Sequence, residues 1–163
     1  MSFGSERVSE TQIPEVKRLY NNLVNFDSGT QEKLQIAIDR WIKSKENQDE
    51  VSRIIDLGIA FESLYLPKGN REQLSFQFRL RASRHLGTDK SDREMLMDEF
   101  KAIYSLRSKA AHNGKIPRTF KIRKGESIHI SKFIRKAQDL CRDSIMKILE
   151  KGKFPDWNDL ILG

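Results

Sequence analysis

The stretch Val51-Ser52-Arg53-Ile54-Ile55-Asp56-Leu57-Gly58-Ile59-Ala60-Phe61-Glu62-Ser63-Leu64-Tyr65-Leu66 is apolar at almost every position around a helical turn. Val51, Ile54, Ile55, Leu57, Gly58, Ile59, Phe61, Leu64 and Leu66 leave no wide polar stripe, which predicts a helix covered on most sides and central to its domain. Asn47, with Glu50 three residues on, predicts a capping box at its start. Upstream, Pro14 suits a first helical turn, and Val16, Leu19, Tyr20, Leu23 and Phe26 form the inner face of a short helix. After the break at Asp27-Ser28-Gly29-Thr30, Leu34, Ala37, Ile38, Trp41 and Ile42 give a second helix one apolar side.

Downstream, Pro67-Lys68-Gly69-Asn70 predicts a turn. A fourth helix carries Leu74, Phe78, Arg81, Ala82 and His85, with Gly87 as a left-handed C-cap. Ser91 with Glu94 predicts the capping box of a fifth helix, whose inner face is Leu96, Met97, Phe100, Ile103 and Tyr104 and which closes at Asn113-Gly114. Thr119-Phe120-Lys121-Ile122-Arg123 alternates with period two, a short extended excursion within 115–130. Ser131 caps a last long helix with Ile134, Ala137, Cys141, Ile145 and Ile148 inward, ended by Gly152. The expected fold is all-α, a bundle of five or six helices. A loose tail over 1–12 precedes one helical domain over 13–152, and an apolar tail over 153–163 packs on the bundle.

Composition narrows the chemistry. The 163 residues suit one domain. Thirty Lys and Arg against 23 Asp and Glu give +7, which favours a polyanionic partner, nucleic acid before membrane. One cysteine, Cys141, excludes an internal disulfide and a cysteine zinc site and fits a reducing cytoplasm. It sits at a core position as an inert hydrophobe. With three histidines, a His-rich metal centre is not expected, and no metal or other cofactor is implied. No apolar run approaches a membrane span. Dinucleotide, Walker A, serine-hydrolase and zincin motifs are missing from the sequence.

The densest chemical signal is Tyr104-Ser105-Leu106-Arg107-Ser108-Lys109-Ala110-Ala111-His112-Asn113-Gly114. Five residues apart, Arg107 and His112 diverge by roughly 140° on a regular helix, so one helix does not aim both at one atom. Two copies meeting across a two-fold axis would present an Arg and a His to a shared groove. Imidazole can move the proton of a 2′-hydroxyl, and guanidinium can hold the phosphate. From Arg107 to Lys136 ten basic residues face one acid, Glu126. Of these, Lys109, Lys115, Arg118, Lys121, Arg123 and Lys124 form the expected RNA-binding cradle. Arg81 and Glu62 each fall on an apolar face where a charge needs a partner. Glu62 is therefore expected to pair with Arg81 or Arg107, as a brace rather than a catalytic acid. Tyr104 and Trp157 read as packing, and His129 as a loop residue.

Ile59-Ala60-Phe61-Glu62-Ser63-Leu64-Tyr65-Leu66, Arg79-Leu80-Arg81-Ala82-Ser83-Arg84-His85-Leu86, Arg93, and Ile103-Tyr104-Ser105-Leu106-Arg107-Ser108-Lys109-Ala110-Ala111-His112, taken in order, resemble a HEPN domain of the Apea-like branch. The similarity spans about residues 34–114, and Asp156-Trp157 through Ile161-Leu162-Gly163 also resembles how such proteins finish. The resemblance implies an all-α homodimer that cleaves RNA without metal and leaves a 2′,3′-cyclic phosphate. By matching position it makes Arg107 and His112 the catalytic pair, with Ser108 and Asn113 as supporting polar groups. Ser108 follows the Arg as in that branch, whereas Asn113 stands where the branch has Gly directly after the His. Family settings imply prokaryotic antiviral defence or a toxin system, with RNA, a second copy and an antitoxin as partners. They also imply a larger N-terminal effector region, so the chain reads as an excised C-terminal domain. Two alternatives stay open: a non-catalytic HEPN module for RNA binding or dimerisation, and a structural assembly domain whose Arg107–Glu62 pair lies away from any groove.

Overall fold

The computed structural model describes residues 8–67 and 73–162. Among them the order is a single 3-10 turn (Glu10–Gln12), α1 (Ile13–Val24), α2 (Ser28–Glu46), α3 (Glu50–Tyr65), α4 (Leu74–Leu86), α5 (Lys90–Asn113), β1 (Thr119–Arg123), β2 (Glu126–His129), α6 (Ile130–Lys151) and α7 (Trp157–Leu162). The protein is an all-α bundle with a two-stranded antiparallel hairpin where the sequence alternates. None of its described helices is long and apolar enough to cross a membrane. The predicted turn at Pro67–Asn70 lies, beyond Pro67, outside the described residues.

The central helix is central. Ile54, Leu57, Ala60, Phe61, Leu64 and Tyr65 of α3 are buried, and α2, α4, α5 and α6 pack around it. Phe61, Tyr65, Phe78 and Phe100 meet at edge-to-face and stacked geometries, with centroids 5.0–6.4 Å apart. All five predicted inward residues of α6 are buried, and each of the three isoleucines among them contributes about 1.5–3 kcal/mol of apolar burial. Cys141 is buried in that row, and burial pushes its thiol up.

Several boundaries differ from expectation, each for a local reason. Asp49, not Asn47, caps α3, its carboxylate accepting from Ser52 N at 2.9 Å; Asn47 instead donates to Asp56 at 2.8 Å. Asp89, not Ser91, caps α5, accepting from Asp92 N. His129, not Ser131, caps α6, its Nδ1 accepting from Ser131 N at 3.3 Å. In all three the acceptor immediately before the first helical residue takes the cap. Gly87 has φ −74°, ψ 136°, so it is not left-handed; a Cβ there would stand 2.5 Å from Cγ of Arg93 and 2.6 Å from the Ser83 carbonyl. The chain is structured before residue 13, where Ser9 N donates to Gln12 at 2.9 Å. Val16 and Tyr20 face solvent with Ile13 and Val24, while Leu19, Leu23 and Phe26 pack inward; Ile42 of α2 is also exposed.

Arg40 and Asn47 hold the buried Asp56, while Gln138 of α6 donates to the Ser44 carbonyl and accepts at its own carbonyl from Trp41. A second buried network ties α3, α4 and α6. Ser144 Oγ donates to the Leu140 carbonyl, Tyr65 donates to Ser144 at 2.7 Å, and the Tyr65 oxygen lies 2.9 Å from His85 Nδ1. Since the Tyr65 proton is committed to Ser144, His85 must donate from Nδ1. Its Nε2 is left as a buried lone pair without a partner, and Trp157 of α7 covers the ring edge-on at 5.9 Å.

Candidate functional site: the C-terminal half of α5 and the hairpin beside it

α5 runs unbroken to Asn113 and stops at Gly114, which takes φ 63°, a conformation glycine adopts without steric penalty. Ile103, Leu106 and Ala110 anchor its inner face. Arg107 stands at the edge of that face, against α3. Two residues one turn apart on α3 receive it. Gly58 leaves the space: a Cβ there would lie 2.1 Å from Cγ of Arg107 and 2.8 Å from its Cβ. Glu62 takes the head, Oε2 lying 3.0 Å from Nη2. Of the two expected partners for Glu62, the structure selects Arg107. Burial raises the Glu62 carboxyl above its ordinary value, and the neighbouring Arg107 charge opposes that shift. The guanidinium is held but not sealed: about a third of the side chain is exposed, while its Nε is itself buried without an acceptor among the described residues.

Arg81 goes elsewhere. Its Nη1 donates to the Tyr65 carbonyl at 2.9 Å, one of the carbonyls the end of α3 leaves free, and its guanidinium lies over Trp157 at 5.7 Å. A helix-end carbonyl and an aromatic face thus replace the expected carboxylate. The Arg107–Glu62 pair does not lie away from any groove, because Glu62 lines an open one of about 330 Å³ with Ile36, Ile59, Leu66 and Pro67.

His112 is exposed in the last turn of α5, with no partner among the described residues. The unbroken helix preserves its divergence from Arg107, so one chain does not bring the two side chains onto a common atom. Ser108 is half-buried and Asn113 exposed, and neither hydrogen-bonds to Arg107 or His112 among the described residues. Tyr104 packs against Phe78 at 5.6 Å.

The basic run does not form one field. Arg123 is drawn between Asp98 at 3.7 Å and Glu126 at 3.5 Å, and Lys136 pairs with the buried Glu99. Lys115 and Arg118 edge a wide cleft of about 610 Å³ opposite Asp49, Glu50 and Arg53 of the α3 start. Lys109 and Lys121 flank a narrower slot between α5 and β1, and Lys124 is exposed at the hairpin turn. Sequence reading missed Lys101, which joins the slot from two turns up α5; its spacing of eight from Lys109 was the available signal. It also missed His129 as a cap, where the signal was Ser131 two residues on. Compared with family models, curated proteins and solved structures, this chain finds no match.

Proposed function

We propose that the protein is a metal-independent endoribonuclease of HEPN type, working as a homodimer in which two Arg107/His112 pairs face one RNA groove. The observation that carries this reading is the contrast between the two side chains of one rigid helix. Arg107 is fixed by Gly58 and Glu62 with part of its side chain still exposed, while five residues on His112 stands in solvent beside lysines that, like it, have no partner among the described residues. The first suits a clamp on a phosphate; the second suits proton transfer. A base takes the proton of the 2′-hydroxyl, whose oxygen bonds to the adjacent phosphorus. The 5′-oxygen leaves with a proton from an acid, giving a 2′,3′-cyclic phosphate and a 5′-hydroxyl. The two-fold arrangement supplies two imidazoles for the two proton transfers and two guanidiniums for the developing charge. Family resemblance adds the setting, a prokaryotic defence or toxin system.

The test is cleavage of an end-labelled mixed-sequence RNA, with EDTA present, by wild type and His112→Ala. Cutting that survives EDTA, leaves cyclic-phosphate ends and disappears in the variant supports the reading. RNA left intact by the wild type at micromolar concentration overturns it. The Glu62 contact to Arg107 equally suits a non-catalytic module, and that result would favour it.

A further inference from the structure

The slot between α5 and β1 has a volume of about 240 Å³ and is floored by Ala102, Leu106, Phe120 and Ile122. Lys101 and Lys109 of α5 and Lys121 of β1 stand around it. Its one acid among the described residues, Asp98, lies 3.7 Å from Arg123. None of the three lysines has an ion-pair partner among the described residues. Three ammonium groups around one small depression repel one another, and a bound anion relieves that repulsion. A depression of this size holds part of a ligand, a phosphate with the sugar or base beside it, whose remainder continues outside, as one unit of a strand does.

Its position adds direction. Lys101, Ser105 and His112 fall within roughly 40° of one another on α5, on the side turned away from Arg107. At 1.5 Å per residue, His112 lies roughly 10 Å along the axis from Ser105, which is near the middle of the α5 residues that line the slot. That is about three nucleotides of a stacked strand at 3.4 Å each. We infer that the slot seats one nucleotide of a single-stranded RNA, about three nucleotides from the phosphate at His112. Phosphate oxygens meet Lys101, Lys109 and Lys121, and the apolar floor lies under the ribose or base. This rests on the RNA reading above and assigns the strand its path.

The test uses a fluorescein-labelled single-stranded RNA of mixed sequence, about twelve nucleotides long, with anisotropy read from about 50 to 200 mM KCl in EDTA. Wild type is compared with Lys101→Gln/Lys109→Gln/Lys121→Gln. A control, Lys17→Gln/Lys43→Gln/Lys153→Gln, removes the same charge from exposed sites elsewhere. The slot variant should bind roughly tenfold more weakly, and its slope of log affinity against log salt should be shallower by about 1, for the two phosphates that flank one seated nucleotide of a single strand. The control should stay near wild type. Equal losses in both variants overturn the inference, as does an unchanged slope or no binding by wild type. So does equally tight binding of a labelled glutamate-rich peptide, which would assign the slot to an acidic protein segment. Failure of the nuclease reading is separable. A wild type that never cuts but loses binding through the slot variant keeps this inference, whereas a slot variant that cuts with unchanged KM removes it alone.

Discussion

The stem of Arg107 occupies the space that the missing side chain of Gly58 leaves open. A Cβ at residue 58 would stand 2.1 Å from Cγ of Arg107. In an exposed helix, Gly→Ala stabilises by up to about 1 kcal/mol. Here the overlap must part α3 from α5 or expel the arginine. Gly58→Ala is expected to lower stability by about 1–3 kcal/mol in urea unfolding followed by circular dichroism. A midpoint at or above that of wild type would show that the arginine has room to move aside.

Removing the carboxylate tests the other end of the same side chain. Glu62→Ala leaves a partly buried guanidinium unpaired and should cost about 1 kcal/mol, a figure reduced for the exposure of both groups. Glu62→Gln, which keeps an acceptor oxygen, should lose less. A double-mutant cycle with Arg107→Ala should give a coupling of about 0.5–1 kcal/mol. A coupling indistinguishable from zero would remove Glu62 as the brace.

His85 makes stability depend on pH. Burial first, then the charges of Lys147 and Lys151, draw its pKa from 6.5 down to about 4. Lys147 also donates to the His85 carbonyl, which keeps its charge close. The folded state therefore binds this proton less readily than the unfolded chain. The contribution is fully present above pH 6.5 and is lost as pH falls towards 4, in total about 3 kcal/mol. Carboxylates titrate in the same window, so the readout is the difference between wild type and His85→Leu. The variant should start less stable at pH 7 and decline less steeply. Parallel declines would sink the assignment.

His112→Ala should leave stability within about 0.5 kcal/mol of wild type, because the side chain is exposed and unpartnered among the described residues. Thermal unfolding checks this. A marked loss would mean that any missing cleavage reports folding rather than chemistry.

Cys141 should resist a thiol reagent in the native protein and react at full rate in denaturant, since its thiol is buried and held protonated. Rapid labelling of the folded protein would show that the core around α6 opens readily.

The fold was legible where apolar spacing alone decided it. α3 announced itself by lacking a polar face, α6 by five inward residues, and β1 by its alternation. Caps were less legible, since Asp49, Asp89 and His129 each compete with a plausible neighbour and the choice depends on where the chain enters the helix. Glu62 could be assigned a cation but not which one, because that depends on how closely α3 approaches α5 at Gly58. The basic run misled most. A linear count cannot see that Asp98 and Glu99 reach Arg123 and Lys136 from α5, or that Lys101 joins Lys109 across two turns.

Asn22 of α1 donates to the Leu149 carbonyl at 2.7 Å, and Arg18 reaches the Glu150 carbonyl at 3.4 Å, both in the final turn of α6. Phe26 meets Phe154 just beyond it. α1 thus closes the end of α6, yet it turns Ile13, Val16, Tyr20 and Val24 to water. Amide exchange should register this as two levels of opening. Protons of α1 and of the last turn of α6 should exchange together through a shallow local release, while those of α3 wait for the whole bundle to come apart.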